Sequence, residues 1–343
     1  MCPKVSVVMP IFKHSEKRLT SAIYSILDQT FSDFELIIID GSTDENNFNI
    51  ISKINDKRIR YFKIKGYINS LNFGIEQARG EYIARMDSDD ISYPQRLEEQ
   101  VNFLDNNLDV SLCSTLVEYF GLTNKTSSYK NELNLLNLIR KQEFKHVSMM
   151  FRKEINLKYD NVKPYEDCLL YRKLLLQGYK FEIINKVLLK NYISCRSIMK
   201  MYPKYCQVLM SKINVLTLAK YYDYKLNFVD EIFSKRYYSK EDVIEYLKFA
   251  KFLKQKLKQS KLNIAKICLP FLFYILSKLK SKFFILHNIN FYYVFGVYLI
   301  KICFKYLLQT IFSLKNECFG GKKYKIITIL GVKFKFHIKI ESI

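Results

Sequence analysis

Residues 80–90 read Gly80-Glu81-Tyr82-Ile83-Ala84-Arg85-Met86-Asp87-Ser88-Asp89-Asp90. Tyr82 to Met86 has the length and composition of a short buried strand, and it ends in three aspartates within four residues. Carboxylates crowded at a strand end repel one another unless a cation or a ligand hydroxyl neutralises them. Oxygen-only donors favour Mg²⁺ or Mn²⁺ over zinc. Such an ion, held by one or two carboxylates, usually completes its shell with phosphates. The local chemistry therefore points to a nucleotide-diphosphate ligand. In isolation Asp-Ser-Asp-Asp reads equally well as a solvated acidic loop, so the flanking sequence has to decide.

Upstream, Lys4 to Pro10 is an apolar, β-branched run closed by proline, the pattern of a buried parallel strand. Residues 16–29 place Leu19, Ala22, Ile23, Ile26 and Leu27 at helical spacing. Phe34 to Asp40 is a second buried strand, followed by the turn Asp40-Gly41-Ser42-Thr43-Asp44 and a helix over 45–55. Arg58 to Ile64 reads as a third strand, Leu71 to Ala78 as a helix, and Tyr82 to Met86 as the fourth strand. Strand and helix alternating in this way predict an open parallel α/β sheet. Ligands of such sheets sit outside the carboxyl ends of the strands, where Asp40 and Asp87 both fall.

Four stretches carry a family resemblance: Val5-Ser6-Val7-Val8-Met9-Pro10-Ile11-Phe12, Ala22 to Phe31, Phe34 to Asp44, and Ala78 to Asp90. Pro94 to Val101 then fits the helix after a metal site. Together they resemble, over residues 4–120, the nucleotide-sugar-binding half of family 2 glycosyltransferases, inverting enzymes of the GT-A fold. The resemblance implies a Rossmann-like mixed sheet flanked by helices. It implies that Pro10 and Phe12 line the nucleotide pocket and that Asp40 faces the base or ribose. It further implies that Asp87 contacts the ribose and metal region and that Asp89 is the metal ligand bridging to the diphosphate. The family commonly carries two aspartates before the Gly-Ser, whereas this chain has Asp40 alone. Read from the residues, Asp40 also suits a helix N-cap.

Lys145 to Arg152 reads as a strand returning to the sheet. His146 on it suits an acceptor or diphosphate contact and, equally, a strand-end histidine without chemistry. In Pro164-Tyr165-Glu166-Asp167-Cys168-Leu169-Leu170, two acids precede an apolar helix, where they suit its first turn. The family carries a Glu-Asp pair here, and the resemblance makes Asp167 the general base and Glu166 an acceptor-binding or positioning residue. An inverting sugar transfer needs one carboxylate to take the proton of the attacking hydroxyl. Gly178 to Leu189 is a further strand. The stretch Tyr192 to Ile198 stands where relatives carry an Arg/His segment, with Arg196 out of register and no histidine.

The net charge is +22, and its distribution is uneven. Residues 200–343 hold 27 Lys/Arg against 8 Asp/Glu, so +19 falls there and +3 in residues 1–199. Such asymmetry points to an anionic partner surface, lipid or nucleic acid. The eight cysteines are scattered without Cys-x-x-Cys or zinc spacing, as in a reduced cytosolic protein, and no signal-peptide layout opens the chain. Residues 205–222 and 241–259 read as lysine-rich helices, and Ile267 to Leu276 is too short to span a bilayer. Phe283 to Ile300 is a borderline apolar block. Lys322 to Phe336 reads as a β-hairpin turning at Ile329-Leu330-Gly331-Val332. It resembles tails of bacterial capsule and lipooligosaccharide glycosyltransferases.

The sequence thus predicts a GT-A domain over 1–198, with a nucleotide-sugar half (1–120) and an acceptor half (121–198). A basic, membrane-associating helical extension (199–320) and a hairpin tail (321–343) follow. The expected activity is metal-dependent (Mg²⁺ or Mn²⁺) transfer from a UDP-sugar to a hydroxyl of a bacterial surface glycan. The acceptor is expected to be lipid-linked, with the enzyme peripheral on the inner, cytoplasmic face of an anionic membrane. A non-catalytic scaffold of the same fold is the rival reading. Nucleic acid is not expected as a partner, because no recognition module is present and the lysines alternate with large apolar blocks.

Overall fold

The computed structural model describes residues 2–12, 15–121, 123–129, 133–140, 143–193, 203–229, 231–234, 238–257, 264–277, 312–319, 322–329 and 332–337. They divide into two compact units, Met1–Lys235 with Ser260–Phe271, and Arg236–Gln259 with Leu272–Ile343.

The first unit is built on a mixed nine-stranded sheet. Strands β1 (Val5–Ile11), β2 (Phe34–Asp40), β3 (Ile59–Lys63) and β4 (Tyr82–Arg85) run parallel in the order β3-β2-β1-β4. Every residue of β1, β2 and β4 is buried, because helices cover both faces. Val5, Val7, Met9, Leu36 and Ile38 point to one face, where they meet α1 (Glu16–Leu27) and α4 (Arg96–Asn106). Val8, Ile37 and Ile39 point to the other, against α3 (Tyr67–Gln77) and α6 (Glu166–Leu176). The chain leaves β1 toward β2 on one side and reaches β4 on the other, so a topological switch point lies between β1 and β4. Open α/β sheets bind ligands at such a point.

Beyond β4 the sheet turns antiparallel through β8 (Met150–Arg152) and β6 (Leu112–Gly121). It continues with β9 (Phe181–Ile193), parallel to β6, and the short β5 (Ile91–Ser92). β7 (Lys125–Thr126) pairs with β6, and α5 (Leu135–Arg140) precedes the return to the sheet. Three expectations change in detail. The helix expected over 45–55 is the shorter α2 (Asn46–Ile51), rich in asparagine, a poor helix former. α3 starts four residues before Leu71 because Gly66, at φ +99°, turns the chain into it. His146 lies on a 3-10 turn, His146–Ser148, rather than on the strand, which begins only at Met150.

α7 (Pro203–Tyr221) packs on α6 through Leu169, Leu209 and Ile213. It is not the lysine-faced helix that its composition suggests. Most of its length is buried, and Ser211, Lys212, Asn214 and Thr217 are buried with it. Burial lowers the Lys212 ammonium to about 8, and the group lies over the Phe271 ring. Phe271 belongs to α9 (Ile264–Ser277), which contains Pro270. There the Ser211 hydroxyl donates to the Ile267 carbonyl and accepts from the Phe271 amide at 3.2 Å, bridging the helix at its proline.

In the second unit, α8 (Lys240–Lys256) opens with a Ser239/Asp242 capping box and exposes Lys248, Lys251 and Lys254 along one face. Val243, Tyr246, Phe249, Ala250 and Leu253 on its apolar face are buried. At the C-terminus β11 (Lys322–Ile329) and β12 (Val332–His337) pair as an antiparallel hairpin in which Ile329 faces Val332. A strand that the sequence reading missed, β10 (Phe312–Phe319), adds to β11 and makes a three-stranded sheet. Among the described residues no helix is long and apolar enough to cross a membrane. The block Phe283 to Ile300 and Arg196 lie outside the described residues.

Candidate active site

The site is assembled at the carboxyl edge of the four parallel strands. β1 ends in Pro10 and Ile11, with Ile11 beside Asp40 at the end of β2. Phe12 then leaves the sheet 57% exposed, and its ring lies 3.6 Å from where a Cβ on Gly41 would stand. The Phe12 carbonyl accepts from Asn47 Nδ2 at 2.5 Å. Pro10 is buried in the strand and Phe12 is open, so Phe12 offers the apolar surface of this pair.

Asp40 is fully enclosed. Its Oδ1 accepts from the Ser42 amide at 2.8 Å and from Asn47 Nδ2 at 3.0 Å, and its Oδ2 accepts from the Tyr61 hydroxyl at 2.8 Å. The side chain therefore organises the turn 40–44 instead of facing outward toward a base. The Ser42 bond is an Asx turn. Burial, and then the bond to Asp40, push the Tyr61 hydroxyl well above its ordinary pKa.

The acidic turn after β4 separates into different roles. Asp90 is buried, accepting from Asn191 Nδ2 at 3.0 Å on both oxygens and from the Tyr192 amide at 2.8 Å, which ties the turn to β9. Burial and the charges of Asp87 and Asp89 hold its pKa well above the carboxylate range. Asp87 keeps 28% of its side chain exposed and takes Arg85 Nη2 on Oδ1 at 2.5 Å. Asp87 and the half-buried Asp89 are the other two carboxylates of the turn. Among the described residues no group of three or more His, Cys, Asp or Glu is gathered to hold a metal. A pair of carboxylates nonetheless fits a hard divalent ion whose shell is completed by phosphate oxygens and water.

Arg85 is a residue the sequence reading passed over, although a guanidinium inside an apolar strand is itself a signal. It is buried, and its Nη2 also donates to the Tyr67 hydroxyl at 2.7 Å, while Nε and Nη1 have no hydrogen-bond partner among the described residues. Its positive charge is felt by Glu166 and Asp167 in the first turn of α6 and by His146 on the 3-10 turn. The chain enters α6 through Tyr165 in the left-handed region (φ 82°), a conformation that costs a bulky residue about 1–3 kcal/mol.

Burial, followed by the neighbouring Asp167 charge, raises Glu166 to about 7, and its Oε2 has no hydrogen-bond partner. Burial also raises Asp167, against the pull of the Cys168 amide and of Arg85. Carboxylates tuned upward in this way are suited to proton transfer near neutral pH. His146 Nε2 and the Tyr159 hydroxyl share a hydrogen bond of 2.6 Å, and the ring packs edge-on against Tyr159. Burial and the Arg85 charge keep this imidazole neutral. Tyr159 is fixed in turn by Asn72, which donates to its carbonyl at 3.0 Å and accepts from its amide at 2.8 Å.

A 3-2-1-4 parallel sheet with acidic strand ends, extended by antiparallel strands toward a helix-borne Glu-Asp pair, is the GT-A architecture. The chain belongs to glycosyl transferase family 2, whose model, described as "Glycosyl transferase family 2", matches residues 6–177. Among curated relatives, an uncharacterized glycosyltransferase of Methanocaldococcus jannaschii, MJ1057, is 35% identical over 225 residues, which is 59% of this chain and 78% of that protein. The Escherichia coli O-antigen biosynthesis glycosyltransferase WbnJ is 36% identical over 166 residues, 45% of this chain and 63% of that one. Among solved structures, S. aureus TarS 1–349 in complex with UDP-GlcNAc aligns over 97% of this chain and 99% of its own. The TM-score is 0.56 at 19% identity, a likeness of fold.

Proposed function

We propose that the protein is an inverting, metal-dependent glycosyltransferase that moves one sugar from a UDP-sugar to a hydroxyl of a growing bacterial surface glycan. One observation carries the reading. The Glu166–Asp167 turn lies in the field of Arg85, which grips Asp87, and the buried Arg85 Nε, Arg85 Nη1 and Glu166 Oε2 have no hydrogen-bond partner. Buried polar groups are nearly always bonded, and a cluster left open at a strand edge suits a polar ligand that completes it. The O-antigen role in WbnJ's name and the UDP-GlcNAc held by TarS support the glycan and the donor class.

In this reading Phe12 and Pro10 flank the nucleoside, and Asp40 holds the turn that the nucleoside meets. Asp87 and Asp89 would hold the divalent ion, whose chemistry is to neutralise the leaving diphosphate. Asp167 accepts the proton of the acceptor hydroxyl while that oxygen bonds to the anomeric carbon. The bond from this carbon to the diphosphate oxygen breaks on the opposite face, its electron pair leaves with the nucleoside diphosphate, and the centre inverts. Glu166 positions the acceptor. The acceptor is lipid-linked, and the basic C-terminal part holds the enzyme at the inner face of the cytoplasmic membrane.

Calorimetric titration with UDP and with GDP, each with Mn²⁺ and with EDTA, tests the donor site. UDP is expected to bind in a metal-dependent manner, and Asp89→Ala to lose that binding. Asp167→Asn should keep UDP binding and lose transfer by about 10²–10⁴-fold, the range of a general base. Undiminished transfer by Asp167→Asn, or binding of neither nucleotide, overturns the assignment.

A further inference from the structure

A cavity of about 290 Å³ opens between α6, α7, the segment that precedes α6 and the turn at 231–234. Arg172, Lys173, Lys220 and Asp160 line it together with apolar side chains that include Leu216 and Phe233. Arg172 is only 2% exposed. Its Nη2 makes a weak hydrogen bond to the Met210 sulfur at 3.7 Å, and its Nε and Nη1 have no hydrogen-bond partner among the described residues. Lys173 is paired with Asp160 at 2.9 Å on the surface, so that acid is already engaged, and Lys220 is exposed.

A guanidinium withdrawn from water with two of its nitrogens unbonded is among the costliest groups a fold can carry. It loses little by this only where an anion enters to complete it. The cavity has the means to accept one. Apart from the Lys173–Asp160 ion pair, two cationic side chains, Arg172 and Lys220, stand around it with no other carboxylate in its lining. Its volume lies at the lower edge of small-molecule sites, too small for a polymer segment. The apolar part of the wall, with Leu216 and Phe233, selects an anion with an apolar body over a fully hydrated one. A guanidinium and an ammonium together also suit the multiple oxygens of a phosphate better than a planar carboxylate, which one guanidinium satisfies alone.

We propose that this cavity is a second anion site, distinct from the donor crevice, which takes a phosphate monoester carrying an apolar group, with Arg172 as its binding residue. The inference stands independently of the proposed transfer reaction.

The test uses the full chain. Hexyl phosphate and inorganic phosphate are titrated into the protein and into Arg172→Met and Lys220→Met. Hexyl phosphate should bind more tightly than inorganic phosphate. Arg172→Met should lose at least about tenfold in affinity for it, and Lys220→Met a smaller factor. Because Arg172→Met removes an unpaired buried charge, its melting temperature should rise while binding falls, a combination that misfolding does not produce. Vesicles containing phosphatidic acid, at a salt concentration where phosphatidylglycerol vesicles no longer hold the protein, separate the two sources of the phosphate. Retention lost in Arg172→Met assigns a lipid headgroup, and unchanged retention assigns a soluble phosphomonoester. Equal hexyl phosphate affinity in Arg172→Met and the unaltered protein, or no binding at millimolar concentrations, overturns the proposal.

Discussion

At the scale of single residues the site is governed by one buried cation among acids. Arg85 holds Asp87, steadies the charge on Asp167 and keeps His146 neutral. Glu166 is the member of this group least at ease, since burial and the Asp167 charge both disfavour its ionised form and raise it to about 7 from an ordinary value of 4.5. The consequence for stability has a definite sign. Between pH 4.5 and 7 the folded protein binds a proton that the unfolded chain has released, so stability falls as pH rises through that window and levels off above it. Glu166→Gln carries no charge and escapes the loss. Its stability relative to the unaltered protein should therefore grow by up to about 3 kcal/mol from pH 4.5 to pH 7, taking 1.36 kcal/mol per unit as the ceiling. Denaturant unfolding of both proteins across this range measures the gap. A gap that does not change with pH would show that Glu166 ionises freely.

At the scale of elements, the close fit between the start of β4 and β1 decides where the acidic turn stands. Gly80 lies against the β1 backbone, and a Cβ there would come 2.6 Å from the Ser6 nitrogen and 2.7 Å from the Val5 carbonyl carbon. The Ser6 hydroxyl donates to Glu35 at 2.7 Å and accepts from the Gly80 and Arg79 amides at 2.8 and 3.0 Å, locking β1, β2 and β4 together. Gly80→Ala should therefore cost about 1–3 kcal/mol, because backbone cannot yield as a side chain can. A melting temperature within a degree of the parent would contradict this fit. The apolar runs Val5-Ser6-Val7-Val8 and Phe34 to Asp40 were legible in the sequence because strands buried on both faces are continuously hydrophobic. The Glu166–Asp167 helix start was legible from its acids and the apolar run behind them. Other features were not legible, and for physical reasons. The 3-10 turn at His146 has no periodicity of its own, and β10 gains its identity from pairing with β11. The inward turn of Asp40 depends on Asn47 and Tyr61, which reach it from α2 and β3. Arg96 is a further case. An arginine at the start of a helix, it is fully buried and donates to the Arg85 carbonyl at 2.6 Å, pinning α4 to the end of β4.

At the scale of the whole molecule the question is how the excess charge of residues 200–343 acts. The sequence suggested basic amphipathic helices that lay their apolar faces on a membrane. The structure redirects that expectation, since α7 is largely buried and α8 has its apolar face covered and its lysines outward. What α8 offers a membrane is therefore mainly charge, with Ile244 as its exposed large apolar side chain. Each lysine near an anionic surface contributes about 1 kcal/mol, and the attraction reaches only about a Debye length, ~10 Å at 0.1 M salt and ~3 Å at 1 M. The full chain should thus sediment with phosphatidylglycerol vesicles at low salt. It should leave them at about 0.5 M salt and should not bind phosphatidylcholine vesicles at any salt concentration. Substituting Lys248, Lys251 and Lys254 together by glutamine should shift the release to lower salt, without affecting the melting temperature, because the three side chains are exposed. Retention on neutral vesicles at high salt would refute an electrostatic attachment. It would assign the contact to apolar insertion, for which the stretch Phe283 to Ile300 has the composition.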